Sequence, residues 1–295
     1  MAKEASAESF NSTSINWYPG HMNKALKAMR EDLKLIDVVI ELVDARIPYS
    51  SKNPEIDQLA SGKKRVILLN KGDFADPEKT KLWVKYYESR GFLVACVNSK
   101  EPQTAKVVTG LVLEACREKI EKDKARGMNM RPVRALVCGI PNVGKSTFIN
   151  TLAKKNVAKT GNKPGVTTGK QWIRLNNKIE LLDTPGVLWP KFEDEEVGKR
   201  IAWIGSINEN ILNTYELTLG LCGYILKTYP GVFNAKYGVE ECEDPLSLIE
   251  AIAIKRNCMQ KGNVPDLERV VAFVSDDFKN GRLGKLSLEV PGDRS

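Results

Sequence analysis

Residues Gly139-Ile-Pro-Asn142-Val143-Gly144-Lys145-Ser146 fit the pattern GxxxxGK[ST]. A glycine-bearing loop of this spacing turns successive backbone N–H groups inward as a nest for anions. Lys145 would then reach the β- and γ-phosphates of a nucleotide, and the Ser146 hydroxyl would ligate Mg²⁺. The run Asn142, Val143, Gly144, Lys145, Ser146 and Thr147 is therefore the candidate phosphate-binding segment. Asn70-Lys71-Gly72-Asp73 is an NKxD box. A carboxylate at Asp73 can accept two hydrogen bonds, from the ring N–H and the exocyclic amine of guanine. Adenine lacks that donor pair and would leave the carboxylate unpaired, so the box points to GTP and GDP. Asp183-Thr184-Pro185-Gly186 closes an apolar run, which puts the Asp183 carboxylate where Mg²⁺ is held and the Gly186 N–H where it can face the γ-phosphate. Between these boxes lies Lys163-Pro-Gly-Val-Thr167-Thr168-Gly169. Thr167, directly after Pro-Gly-Val, is the chosen Mg²⁺ ligand there, with Thr168 its close competitor. Each motif alone could be an ordinary turn or a flexible loop. In this combination they specify a guanine-nucleotide site.

The elements that must carry these loops follow from periodicity. NKALKAMREDLKLI spaces Leu26, Met29, Leu33 and Ile36 on one helical face. DVVIELVDA, RVILLN, FLVACVN and RALVCG read as buried strands. DPEKTKLWVKYYESRG reads as a helix, with Asp76 as N-cap, Pro77 at the first helical position and Gly91 as the stop. AKVVTGLVLEACREKIEKDKA reads as one further helix, and another runs through FINTLAK. QWIRL and KIELLD form a strand pair. Strands alternating with helices predict an α/β fold, a mostly parallel sheet with helices on both faces. After about residue 198 the strand signal fades and helical spacing takes over, which predicts a small all-helical C-terminal domain. The expected organisation is a tail over 1–15, a nucleotide-binding domain over 16–195 and a helical domain over 196–295.

The 295 residues carry 45 Lys+Arg against 37 Asp+Glu, a net charge of +8. Residues 131–190 hold 10 basic and 2 acidic side chains, whereas residues 191–295 are net −4. The segment bearing the nucleotide loops thus has more positive charge than one nucleotide needs, and a polyanion such as RNA is the expected partner. No run of about 18 apolar residues exists, so no membrane partner is expected. The opening stretch lacks the apolar core of a secretory signal and the arginines of a transit peptide. Six scattered cysteines without a CxxC pair suggest reduced thiols, and a single histidine, His21, argues against a histidine-rich metal centre.

The order of the boxes is unusual, because NKGD at 70–73 precedes the phosphate loop, PGVTT and DTPG. This set resembles the circularly permuted GTPases, in which the P-loop GTPase fold is kept while the connections move. The openings WYPGHM (17–22) and DARIP (44–48), with DTPGVLWPKFED (183–194), narrow the resemblance to the ribosome biogenesis GTPase A family over about residues 15–290. The resemblance implies that Asn98 and Ser99 support the guanine base and that His21, from the PGHM motif, is the catalytic residue. It also implies that Asn142 helps hold K⁺. By the same resemblance the chain would be a cytoplasmic, monomeric, Mg²⁺-dependent GTPase that assists assembly of the large (50S) ribosomal subunit. It would bind rRNA and ribosomal proteins in the GTP state, be stimulated by the particle and leave after hydrolysis. Many GTPases place a glutamine after DxxG to orient the attacking water, whereas Val187 stands there in this chain, so slow unassisted turnover is expected. Two other readings stay open: a client such as the small subunit, or a GTP-dependent scaffold with negligible turnover. The loop after Asp183 leads into the helical domain, so nucleotide state is expected to act through residues 184–198 on that domain's position.

Overall fold

The computed structural model describes residues 20–128, 131–154, 171–192 and 194–292, except for the His21 side chain. Helix α1 (Gly20–Asp32) leads into β1 (Val38–Asp44), α2 (Pro54–Leu59) and β2 (Lys64–Asn70). Then come α3 (Pro77–Ser89), β3 (Leu93–Cys96), α4 (Thr104–Ala115), α5 (Arg117–Ala125), β4 (Val133–Gly139) and α6 (Lys145–Ala153). Strands β5 (Gln171–Arg174) and β6 (Ile179–Asp183) complete a six-stranded sheet in the order β3-β2-β1-β4-β6-β5. Every pair is parallel except β5 with β6, the antiparallel edge. The α/β expectation therefore holds. The central strands read as continuous apolar runs because both their faces are covered, and all seven residues of β1 are buried.

Local chemistry explains most element ends. Asp76 caps α3 by accepting the N–H groups of Glu78 and Lys79, with Pro77 at the first position. Helix α2 is absent from the periodicity reading, since six residues are too few to show a period. Its signal is the Asn53-Pro54 pair, with Asn53 accepting the Glu55 N–H at 2.9 Å. The single helix expected over 105–125 is two. The chain bends at Cys116 (φ −101°), where the buried stripe of Val108, Val112 and Cys116 ends, and α5 has no buried residue to hold it to the sheet.

Beyond the sheet lie α7 (Glu195–Trp203), α8 (Thr214–Thr228), α9 (Val232–Tyr237), α10 (Pro245–Lys255) and α11 (Leu267–Lys279). A two-residue antiparallel ladder, β7 (Met259–Gln260) with β8 (Val264–Pro265), interrupts the otherwise helical region. One core cluster runs from sheet to helices and includes Phe148, Leu181, Val187, Ile201, Leu221, Ile249 and Val274. A second lies beneath α3, around Val43, Leu69, Trp83 and Tyr87. After α11 the chain crosses back to the sheet as a strap. The Leu286 N–H donates to Phe74 O at 2.9 Å and the Leu288 N–H to Arg46 O at 2.8 Å, while Trp83 Nε1–H donates to Glu289 O at 3.1 Å.

Candidate nucleotide-binding site

The loops with chemical potential all leave the C-terminal ends of neighbouring strands, where open α/β sheets bind ligands. Strand β4 ends in the loop 140–144 before α6, β2 ends in 71–73, β3 is followed by 98–100, and β6 ends at Asp183. Because β4 lies between β1 and β6, the phosphate loop sits at the middle of the sheet with Asp183 beside it.

The phosphate loop depends on close backbone approach. A Cβ at Gly139 would fall 2.5 Å from Leu42 O, and one at Gly186 would fall 2.9 Å from the backbone of Pro141. Asn142 takes the left-handed conformation (φ 57°), as the turn into the helix requires. Helix α6 starts at Lys145 with no side-chain cap, so the first N–H groups of the helix are left to whatever lies in the loop. Lys145 itself is buried. Burial pulls its ammonium below the usual lysine range, and the nearby Asp183 carboxylate works against that pull.

Asn70 joins three loops. Its Nδ2–H donates to Val143 O at 2.8 Å, and its Oδ1 accepts the Ser99 N–H at 3.0 Å and the Ser99 hydroxyl at 2.7 Å. Lys71 Nζ donates to Asn142 O at 2.8 Å and pairs with Asp44 at 3.0 Å. Gly72 packs against Cys96 with its N–H on Val97 O at 3.1 Å, leaving Asp73 exposed at the rim, where a carboxylate can meet a base. The Asn98 carboxamide shapes its own loop, accepting the Lys100 N–H at 3.0 Å and donating to Glu101 at 3.2 Å. The carboxamide is thus engaged within its own loop and sets the path of residues 98–100.

Burial raises the Asp183 carboxyl, opposed by Lys145 and by the Thr184 N–H. Asp183 Oδ1 is buried and has no hydrogen-bond partner among the described residues. An orphaned carboxylate oxygen beside a phosphate loop is costly unless a cation completes it, so the donor set of Asp183 and Ser146 fits Mg²⁺. Thr167 and Thr168 lie outside the described residues, as do Trp17, Tyr18 and Lys155, Lys159, Lys163 and Lys170. His21 belongs to the first turn of α1, but its side chain is likewise outside them. The Asn142 side chain donates to Gly205 O at 2.5 Å, which ties the phosphate loop to the turn after α7. Val187 is fully buried and donates its N–H to Gly139 O at 3.3 Å, so it cannot orient water. Trp189 packs edge-on against Phe192 (centroids 5.0 Å apart) at the margin of the core and is a packing residue here.

Several residues at the site escaped sequence reasoning. Ser206 Oγ donates to Pro141 O at 2.6 Å, so the turn after α7 touches the phosphate loop. Asn53 donates to Val187 O at 2.9 Å, tying the loop after β1 to the segment after DTPG. The buried Arg46 forms two bonds of 2.8 Å with Asp44 and donates to Phe278 O at 2.8 Å, at the end of α11. Asp44 and Arg46 stand in the DARIP run that helped carry the family resemblance, but the sequence assigned neither residue a role. Burial pushes the Asp44 carboxyl up, yet Arg46 and Lys71 outweigh it and hold it well below the usual carboxylate range.

Comparison with known proteins agrees with this geometry. Residues 134–218 match the model of a family described as 50S ribosome-binding GTPase. Ribosome biogenesis GTPase A of Bacillus cereus is 46% identical over 278 residues, covering 94% of this chain and 94% of that protein. The GDP-bound structure of a protein named YlqF superposes with a TM-score of 0.65 at 29% identity, covering 90% of this chain and all of that one. The GNP-bound YlqF from Thermotoga maritima gives 0.64 at 30% identity, over 92% and 99%.

Proposed function

The chain belongs to the ribosome biogenesis GTPase A family, and from that premise we propose that it hydrolyses GTP to time its binding to, and release from, an assembling large ribosomal subunit. The observation that carries the nucleotide half is Asn70, whose one carboxamide ties the phosphate loop to the 98–100 loop and so gathers the boxes into one site. In this reading the loop 140–144 and the first N–H groups of α6 bind the phosphates, Lys145 spans the β- and γ-phosphates, and Asp73 reads guanine. Ser146, Asp183 and Thr167 would hold Mg²⁺, whose contribution when bound is to neutralise charge on the phosphate oxygens. Asn142 would lend its amide oxygen to K⁺. His21 would accept a hydrogen bond from the attacking water once the particle holds α1 in place, as a neutral imidazole nitrogen can.

The ribosomal half rests on the family and on charge. Lys154, Lys155, Lys159, Lys163, Lys170 and Arg174 exceed what one nucleotide needs and would supply charge for an RNA contact. The helical region is net −4, yet Lys236, Arg256 and Arg269 gather in one surface cleft with Tyr237 and Phe273. The acid of that cleft, Asp277, is already paired with Lys236 and Arg282. The cleft thus gathers basic side chains suited to an RNA backbone.

Phosphate release with and without purified large or small subunits, in K⁺ and in Na⁺, tests the proposal. Stimulation by large subunits alone, greater in K⁺ and abolished by His21→Ala while GDP affinity is kept, is the expected result. Stimulation by small subunits alone would change the client. A buried Val187 in place of a water-orienting residue favours one second reading, a GTP-dependent scaffold, and turnover that no subunit raises would establish it.

A further inference from the structure

The turn that carries Asp73 is held from two sides. On the sheet side, Gly72 is pressed against Cys96 and bonded to Val97 O. On the other side stands Phe74, the next residue after Asp73, in a tight turn whose Phe74 N–H donates to Lys71 O at 2.9 Å. The Phe74 carbonyl receives the strap's Leu286 N–H. Its ring lies 5.6 Å from the Arg46 guanidinium, which in turn lies 5.0 Å over the ring of Phe278 in α11. Gly281, in a left-handed turn after α11 (φ 70°), comes so near that a Cβ there would fall 2.6 Å from Phe74 Cγ and 2.8 Å from Cε1. The Lys100 ammonium, from the loop after β3, is 5.7 Å from the same ring.

We propose that Phe74 is a positioning residue for base recognition: the turn after α11 and the C-terminal strap brace its ring and so fix where Asp73 presents its carboxylate, making guanine affinity depend on docking of the C-terminal region. This rests on the assignment of Asp73 to the guanine edge. Two parallel hydrogen bonds to a planar base tolerate little tilt, and residues 71–74 form one turn, so a displaced ring carries Asp73 with it. Coupling of this kind is reciprocal. A bound guanine nucleotide tightens docking of the strap and α11, and a macromolecular partner that lifts them promotes loss of GDP.

The test compares Gly281→Ala and Gly281→Asn with Gly284→Ala. Asn tolerates positive φ, so the Gly281→Asn variant adds the Cβ with less backbone strain. Gly284 shares a positive φ (104°), but a Cβ there would meet nothing within 4 Å, so it controls for strain alone. GDP, IDP and ADP are each titrated against a fluorescent guanine nucleotide on the full chain, with thermal unfolding measured alongside. IDP keeps the ring N–H but lacks the exocyclic amine, so a tilted Asp73 costs it less. Both Gly281 variants should lose about tenfold in GDP affinity and clearly less in IDP affinity, so that the GDP-to-IDP preference narrows. Gly284→Ala should keep the parent preference. Phe74→Ala, which withdraws the brace without adding atoms, should narrow it as the Gly281 variants do. An unchanged preference in the Gly281 variants and in Phe74→Ala overturns the inference while leaving Asp73 in its role. A parent chain that binds ADP as tightly as GDP removes the Asp73 assignment, and the inference with it.

Discussion

Replacing Asn70 by Ala should separate the phosphate loop from the base loops. The side chain is 1% exposed and makes three hydrogen bonds, at 2.8 Å to Val143 O and at 3.0 and 2.7 Å from the Ser99 N–H and hydroxyl. A net hydrogen bond is worth about 1 kcal/mol, and partners stranded without water cost more, so the three together amount to about 3 kcal/mol. Gly144 is held close to the same carboxamide, a Cβ there falling 2.5 Å from Asn70 Nδ2, so the loop cannot collapse inward without moving its phosphate N–H groups. If that energy is felt mainly in the bound state, GDP affinity falls by about a hundredfold, at 1.4 kcal/mol per factor of ten. Asn70→Asp splits the effect. It keeps the acceptor for Ser99 but sets a carboxylate oxygen against Val143 O, so phosphate-loop binding should suffer at least as much as in Asn70→Ala. Equilibrium titration with a fluorescent GDP analogue, with thermal unfolding measured with and without GDP, reads both affinity and stability. GDP affinity of Asn70→Ala within about threefold of the parent would refute the assignment of Asn70 as the knot of the site.

Arg46→Met should cost about 3–5 kcal/mol in urea unfolding, because it leaves the buried Asp44 carboxylate with Lys71 as its one remaining ion-pair partner. The double variant Asp44→Asn/Arg46→Met should be more stable than Arg46→Met alone, and a strictly additive cycle would contradict the pairing. Burial pushes the Asp37 carboxyl up, but the Arg134 N–H, Lys119 and Arg131 outweigh it and hold it below its ordinary 3.8. A carboxyl depressed in the fold stabilises above its unfolded value, and that contribution disappears as pH falls through the folded one. Asp37→Asn should therefore lower Tm at pH 7 and flatten the decline of Tm as pH falls below 3.8, followed by circular dichroism. Neutralising Lys154, Lys155, Lys159, Lys163 and Lys170 should weaken subunit binding and reduce its salt slope more than neutralising Lys255 and Lys261, as read by co-sedimentation over a salt series.

The nucleotide site was legible because its chemistry is local. A phosphate cradle is made by consecutive backbone N–H groups with glycines at set intervals; Asn70, Lys71, Asp73 and Asp183 fall at or just past strand ends that apolar runs already mark, and Lys145 and Ser146 open the helix after such a strand. The parallel sheet was legible for a similar reason, since strands covered on both faces need unbroken apolar runs. Helix α2 and the bend at Cys116 were not, because short elements and helix breaks are decided by what the neighbouring surface can bury. The charge excess of residues 131–190 was visible from the start, whereas the basic cleft at Lys236, Arg256 and Arg269 exists only once distant parts of an acidic region fold together. Arg46 marks the same limit most plainly. Its partners Asp44, Phe74 and Phe278 span more than 230 positions, and a buried cation is tolerable only where the fold delivers both its counter-charge and its carbonyl acceptors. Residue types spaced a few positions apart determined what the protein binds. Tertiary packing alone decided that the strap and the turn after α11 meet the turn that carries Asp73, because contacts at such separation leave no period in a sequence.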